Sequence, residues 1–322
     1  MTVIIITHKL YEVMAISDRV GIMRQGKLVG LEETKNVNER LLASMMVGRE
    51  VLHDPYDKSG EPGLPLIRVE NLEVLDNRGL KAVRGVSLEV RANEILGIAA
   101  VEGNGQSELL EAITGLRPAV SGQVLLHDQP ITGMTPGQIR QLGLSHVPED
   151  RLATGVAKAG DVAENLLMGK QREKRFTKFG IHLKQKMVQE YCRDLAKDYD
   201  VRSAGLDVTV GSLSGGNVQK VVIAREFSFD ADTLVISQPT RGVDIGAIEF
   251  IHDRIMDKRN QGCAILLVSA DLDEVFRLSD RIITLYEGKI TGEFRASEIS
   301  KEEIGYYMTG ARKEEADHGE SH

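Results

Sequence analysis

The sequence predicts an α/β fold built around a mainly parallel sheet. Short continuous apolar runs at Ile95 to Ala100, Leu234 to Ile236 and Ile265 to Val268 read as strands buried on both faces. Segments with helical spacing lie between them. Buried strands that alternate with helices require parallel pairing with crossovers.

The elements follow in order. Ile67 to Leu75 and Val83 to Val90 alternate apolar and polar residues, as half-buried strands do. Ser107 to Gly115 places Leu109, Leu110 and Ile113 on one helical face, with Gly115 as its stop. Val124 to Leu126 reads as an edge strand. Lys184 to Asp198 lines up Met187, Val188, Tyr191, Cys192 and Leu195, so Tyr191 and Cys192 read as core residues. The stretch from about Asp161 to Asp200 is mostly helical and looks inserted. Ala247 to Asn260 is a helix closed by Gly262.

Composition excludes several classes. The 322 residues carry a formal net charge of -8, with 42% hydrophobic and 27% charged residues. Net acidity gives no general attraction to nucleic acid, and Arg172 to Lys178 is too short a basic run to supply one. Cys192 and Cys263 have neither disulfide-framework nor zinc-site spacing. The apolar run Val3 to Ile6 is far shorter than the roughly 20 residues of a membrane helix. That run reads instead as a buried strand.

An internal repeat sets the domain organisation. Thr2 to Gly30 aligns with Ala264 to Gly292 at a constant offset of 262 residues, without a gap. Leu10, Glu12, Val13, Ser17, Asp18, Arg19, Gly26, Lys27 and Gly30 are identical to their counterparts, nine of 29 pairs. Ordinary composition gives roughly two such identities by chance. Met46 and Gly48 continue the match to Met308 and Gly310. The expected organisation is the end of a first domain copy at 1–49, a linker at 50–65, a complete second copy at 66–310 and a disordered tail at 311–322. On this reading the chain lacks the front of its first copy.

The strongest chemical signal is Leu213-Ser214-Gly215-Gly216-Asn217, followed by Gln219 and a run of Val221, Val222, Ile223 and Ala224. Glycines at a helix start admit a phosphate to the free backbone amides, and Ser214 offers a further donor. With this helix behind it, the segment resembles the LSGG signature of the ATP-binding-cassette ATPases. The resemblance spans Leu66 to Gly310, and the part before Gly48 fits the end of a second such domain. It implies a cassette-type P-loop ATPase domain, with an antiparallel β subdomain and a helical subdomain beside the parallel sheet.

Carried over residue by residue, the resemblance describes a degenerate site. Ala100-Val101-Glu102-Gly103-Asn104-Gly105-Gln106-Ser107, with Glu108 after it, stands where the phosphate-binding P-loop belongs. Ala100 replaces the first glycine and Gln106 the lysine, so a neutral amide stands in for a full charge. Charge-assisted hydrogen bonds contribute about 1.5–3 kcal/mol against about 1 for neutral ones, so affinity is expected to fall about tenfold or more. Ser237 and Gln238 occupy the places of the magnesium-binding aspartate and the catalytic glutamate, and neither accepts a proton. Asp244 falls at the dimer contact, and Glu149 near the glutamine of the Q-loop. The repeat pairs His8 with Ala270, so the first copy keeps the switch histidine that the second has lost. His127, His146 and His182 have no such support.

The resemblance further implies ATP and Mg2+ as cofactors. It implies two membrane permease subunits, an extracytoplasmic substrate-binding protein and a second nucleotide-binding domain as partners, at the cytoplasmic face of the membrane. Each ATP in such a pair lies between the P-loop of one domain and the LSGG of the other. The losses therefore fall on one side of the sandwich, while the signature remains for the partner. The SQPTRGVD, VEGNGQSEL and VPEDR segments are similar to the nucleoside branch of duplicated sugar and nucleoside importers. A non-transport cassette ATPase and a catalytically inactive nucleotide-binding module are the competing expectations.

Overall fold

A computed structural model describes residues 2–7, 9–24, 26–48, 56–58, 60–179 and 181–311. The first part carries α1 (Leu10–Ile16), β1 (Arg19–Arg24), β2 (Lys27–Glu33) and α2 (Glu39–Val47). The second opens with β3 (Pro65–Leu75), β4 (Lys81–Arg91), β5 (Glu94–Ala99), α3 (Gln106–Ile113), β6 (Ser121–Leu126), β7 (Gln129–Pro130), α4 (Pro136–Gln141) and β8 (Leu144–Val147). A π-helical turn at Arg151–Gly155 leads to α5 (Val162–Leu167), β9 (Thr177–Lys178), β10 (His182–Leu183) and α6 (Gln185–Asp198). Then come α7 (Gly215–Phe227), β11 (Thr233–Ser237), α8 (Ile245–Asn260), β12 (Ala264–Val268), α9 (Leu272–Leu278), β13 (Arg281–Tyr286), β14 (Lys289–Arg295) and α10 (Lys301–Met308).

The main sheet runs β14-β13-β5-β12-β11-β8. Every pairing from β13 to β8 is parallel, and β14 adds antiparallel at one edge. Every residue of β5, β11 and β12 is buried, which explains their unbroken apolar runs. The second sheet, β4-β3-β6-β7, is antiparallel, and β3 and β4 largely alternate buried with more exposed residues. One core lies between the main sheet, α7, α8 and the inserted helices α5 and α6. A second joins α3 and the antiparallel sheet to the opposite face of β5 and β12, and a small third gathers Val275, Ile282, Ile304 and Met308 under α9 and α10.

Three details differ from the sequence reading. Val124 to Leu126 is not at an edge, because β6 lies between β3 and the short β7. Met187 is exposed on α6, while Val188, Cys192 and Leu195 are buried. Val3 to Ile6 do not form a buried strand: they pair with nothing described, and Ile4 and Ile6 are 88% and 99% exposed. An apolar run becomes a strand only when a neighbouring strand satisfies its backbone groups.

Within the expected linker, the described residues hold onto the second part. The Tyr56 hydroxyl donates to Asp253 at 2.8 Å, and the Lys58 ammonium donates to the Ser279 carbonyl at 2.5 Å. Of the expected tail, only Ala311 lies within the described residues.

The repeat is visible in the backbone. α1, β1 and β2 occupy the same bounds as α9, β13 and β14 after the 262-residue offset. Both hairpins slip register at the same step, Ile22/Met23 in one and Thr284/Leu285 in the other. Both turn through a left-handed glycine, Gly26 (φ 74°) and Gly288 (φ 76°). Both final helices precede another, Gly48 (φ 86°) and Gly310 (φ 73°).

Candidate functional site

The end of β5 feeds a loop that turns into α3, and the loop glycines make this turn possible. Gly103 and Gly105 have φ of 91° and 99°, a region that side chains disfavour. A Cβ on Gly105 would lie 2.2 Å from the Ala82 carbonyl oxygen, so only glycine fits. A Cβ on Gly103 would meet nothing within 4 Å, which leaves that side open to an approaching group. Asn104 fixes the loop: its side chain donates to the Val101 carbonyl at 3.0 Å and accepts from the Glu287 amide at 2.8 Å. Helix α3 starts at Gln106, so the amides of its first turn lack partners within the helix. This geometry can cradle phosphate oxygens.

Gln106 is turned inward. Its amide nitrogen donates to the Val101 carbonyl at 3.1 Å, so it serves the loop itself. Its buried side-chain oxygen has no hydrogen-bond partner among the described residues. Ala100 is buried beneath the loop, and Glu102 is exposed on its rim. The Ser107 hydroxyl donates to Glu149 at 3.1 Å, which ties the loop after β8 to the first turn of α3. Glu108 follows in the first turn of α3.

The end of β11 brings Gln238 and Ala270 together. Ser237 and Gln238 are buried, and Ser237 lines a cleft of about 720 Å³ beside Ser107, Glu149 and Arg241. Gln238 holds a left-handed φ of 47°. Its amide donates to the Val268 carbonyl at 2.7 Å, and its side-chain oxygen accepts from the Ala270 amide at 3.1 Å. His8 lies outside the described residues. Its neighbours repeat the turn at Ala270: the Lys9 amide donates to the Thr7 hydroxyl, and the Asp271 amide to the Ser269 hydroxyl, both at 3.1 Å.

The signature segment forms a second cluster. Leu213 ends a short 3-10 turn, and exposed Ser214 is the N-cap residue of α7, ahead of Gly215 and Gly216. The Asn217 side chain donates to the Ser214 hydroxyl at 3.0 Å and accepts from the Arg202 amide at 2.9 Å. A Cβ on Gly215 would come within 2.7 Å of the Arg151 guanidinium, and one on Gly216 within 3.1 Å of the Asp244 carboxylate. Asp244 itself caps α8 by accepting from the Ala247 amide at 3.0 Å. Gln219 points away from this surface: it is 2% exposed, and its amide nitrogen has no partner among the described residues.

Sequence reasoning assigned no role to Arg241. Its guanidinium lies 3.1 Å from Glu102 and 2.9 Å from Glu149, bridging the P-loop rim and the loop after β8. Its backbone is held by Arg151, which donates to the Arg241 carbonyl and, at 3.2 Å, to the Gly242 carbonyl. Two uncompensated glutamates flanking a lysine-less P-loop are the only hint the sequence offers.

The site fits a nucleotide's phosphates better than it fits a divalent metal. Magnesium sites use one or two carboxylates with octahedral oxygen geometry. Ser237 offers none, and the Glu149 carboxylate is already shared between Ser107 and Arg241. No cluster of three His, Cys, Asp or Glu suited to a metal occurs among the described residues.

A family model described as ABC transporter matches residues 83–241. Residues 83–241 form an ABC transporter ATP-binding domain. The chain is 40% identical over 309 residues to a nucleoside import ATP-binding protein of Lactococcus lactis, covering 96% of this chain and 61% of that protein. It is 44% identical over 312 residues to a glucose import ATP-binding protein of Haloferax volcanii (96% and 56%), and 41% identical over 301 residues to a guanosine import ATP-binding protein of Bacillus subtilis (94% and 59%). The chain thus spans about three fifths of the length of these relatives. A nucleotide-free ATP-binding cassette from an ABC transporter superposes with a TM-score of 0.62 at 25% identity, covering 76% of this chain and 95% of that one. The cassette has its mainly parallel sheet, its antiparallel β subdomain and its helical subdomain. No helix among the described residues is long and apolar enough to cross a membrane.

Proposed function

We propose that the chain is the ATP-binding subunit of an importer for a nucleoside or simple sugar, and that its cassette serves mainly as the signature donor to a partner's ATP site. One observation carries this reading. Ser214 and the start of α7 are presented at the surface, while the cassette's own pocket has Gln106, Ser237 and Gln238 at the positions of charge. Helix amides and the positive end of the helix dipole favour a phosphate brought from outside. Gln238, at the position of the catalytic glutamate, takes no proton from water, because an amide is not a base at neutral pH, and its side-chain oxygen already accepts from the Ala270 amide.

On this reading residues 2–48 are the end of a first cassette, whose P-loop, carboxylates and His8 would complete the hydrolytic site with Ser214. ATP and Mg2+ act there. Import would further need two permease subunits and a substrate-binding protein, with the cassette lying peripherally at the cytoplasmic face. The names of the nucleoside, guanosine and glucose import relatives support this assignment.

ATP turnover tests the reading. This chain alone is expected to hydrolyse ATP at background rate. A fusion that places a complete first cassette ahead of it should hydrolyse ATP, and Ser214→Ala should lower its kcat by about tenfold or more. Brisk turnover by the isolated chain, abolished by Gln238→Ala, would instead assign catalysis to this pocket. Co-purification with ribosomes rather than permeases would favour a non-transport cassette.

A further inference from the structure

We propose that the pocket around Gln106 binds the phosphates of a nucleoside di- or triphosphate without a divalent metal, with Arg241 supplying the positive charge. This rests on the reading above, in which the cassette's own site does not hydrolyse.

The loop geometry is suited to phosphates, but two cations usual in such a site have no place here. The P-loop lysine is replaced by Gln106, whose amide nitrogen is spent on the Val101 carbonyl. The metal-binding carboxylate is replaced by Ser237. Arg241 is the cation that the fold brings to the same spot. Its guanidinium contacts the carboxylate of Glu102, which belongs to the P-loop. It also contacts the Glu149 oxygen opposite the one that accepts from Ser107. It therefore stands one carboxylate away from the Ser107 hydroxyl in the first turn of α3.

Arg241 is also free to change partners. Its side chain is 56% exposed, Glu102 60% and Glu149 37%, and ion pairs so exposed to water are weak. Its main chain stays anchored through the two carbonyls that Arg151 grips. A guanidinium on a fixed backbone, held by two loosely paired carboxylates, is poised for bidentate transfer to phosphate oxygens. The glutamates then act as placeholders that keep the charge over the loop until a nucleotide arrives.

Equilibrium binding of ATP and of ADP to the full chain, in EDTA and in excess magnesium, tests the proposal. Affinities in the two buffers are expected to agree within about threefold, and Arg241→Ala should weaken binding about tenfold to a hundredfold in both, the size of a lost charge-assisted pair. Arg241→Lys should recover part of the loss, because charge returns without the fork. Glu149→Gln should tighten binding a few-fold (about threefold) by removing a competitor for the guanidinium. Thermal melting of each variant checks that the fold is intact. A magnesium requirement, with Glu149→Gln weakening rather than tightening, would overturn the proposal in favour of a metal held by Ser107 and Glu149. So would unchanged affinity in Arg241→Ala, or no binding by the unaltered chain in either buffer. None of these outcomes touches Ser214-dependent turnover in the fused protein, so the signature-donor reading stands or falls separately.

Discussion

Residues 2–48 and 264–310 carry the same local code and meet different surroundings. In the second segment, Asp280 accepts from the Ile95 amide at 2.8 Å and forms a two-pronged pair with Arg259 at 2.8 and 3.1 Å. Arg281 reaches Glu94 at 2.5 Å and Glu293 at 3.0 Å. The identical Asp18 and Arg19 are exposed. The bond from Thr34 to the Asp18 carbonyl nevertheless matches the one from Ala296 to the Asp280 carbonyl, both at 3.0 Å. Turn, bulge and cap are thus set by the segment itself, whereas burial is conferred by β5 and α8. The repeated Asp-Arg pair docks the second segment onto those elements, whereas Ser17 bonds within its own segment, to the Val13 carbonyl and the Thr34 hydroxyl. The first segment finds only a partial substitute: α2 buries Leu42 and Ala43, and Val47 lies near Gly246 at the start of α8.

The largest effect that would sharpen this contrast is at the aspartates. Asp280→Ala leaves Arg259, 1% exposed, without its two-pronged partner, and should cost about 3–5 kcal/mol. Asp18→Ala should stay within about 0.5 kcal/mol, as exposed substitutions do. Urea unfolding of the two variants measures both, and equal losses would break the comparison. A smaller effect is expected at the closing glycines. Gly310→Ala forces a side chain into a left-handed conformation 2.6 Å from the Tyr286 ring and should cost about 1–3 kcal/mol. Gly48→Ala meets only the flexible Arg24 guanidinium, so it should cost less, about 1 kcal/mol.

The smallest effect is a titration. The Thr7 hydroxyl donates to Glu12 at 2.9 Å and is the main cause holding its carboxyl below the usual 4.5. A carboxyl lowered in the folded state stabilises above its unfolded value, and that contribution fades as pH falls through the lowered one. Thr7→Val should move the Glu12 titration upward in an NMR pH series. Its counterpart Glu274 is spent differently: buried, it accepts from Thr240 at 2.7 Å and lies 2.7 Å from His252. The same residue is a surface contact in one segment and a core tie in the other.

Much of the fold was legible because burial on both faces writes itself as unbroken apolar runs, as in β5, β11 and β12. The same rule misled at Val3 to Ile6, where the run is present but pairs with no strand among the described residues. The glycine turn into α3 and the start of α7 behind Ser214 were legible because glycine spacing and helix starts are local. Arg241 was not: its role depends on Glu102 and Glu149, both far away in the chain, and sequence spacing carries no information about that meeting. Gln219 misled for a related reason, since its place in the motif says nothing of which way α7 turns it.

The bond between Gln238 and the Ala270 amide fixes what any side chain at position 238 would meet. A glutamate in place of Gln238 would bring one carboxylate oxygen to the same waiting amide, in the same left-handed backbone. The donor is a backbone N–H, so the bond outlasts any exchange at position 270 other than proline: the main chain at the end of β12 dictates where the tip of residue 238 rests.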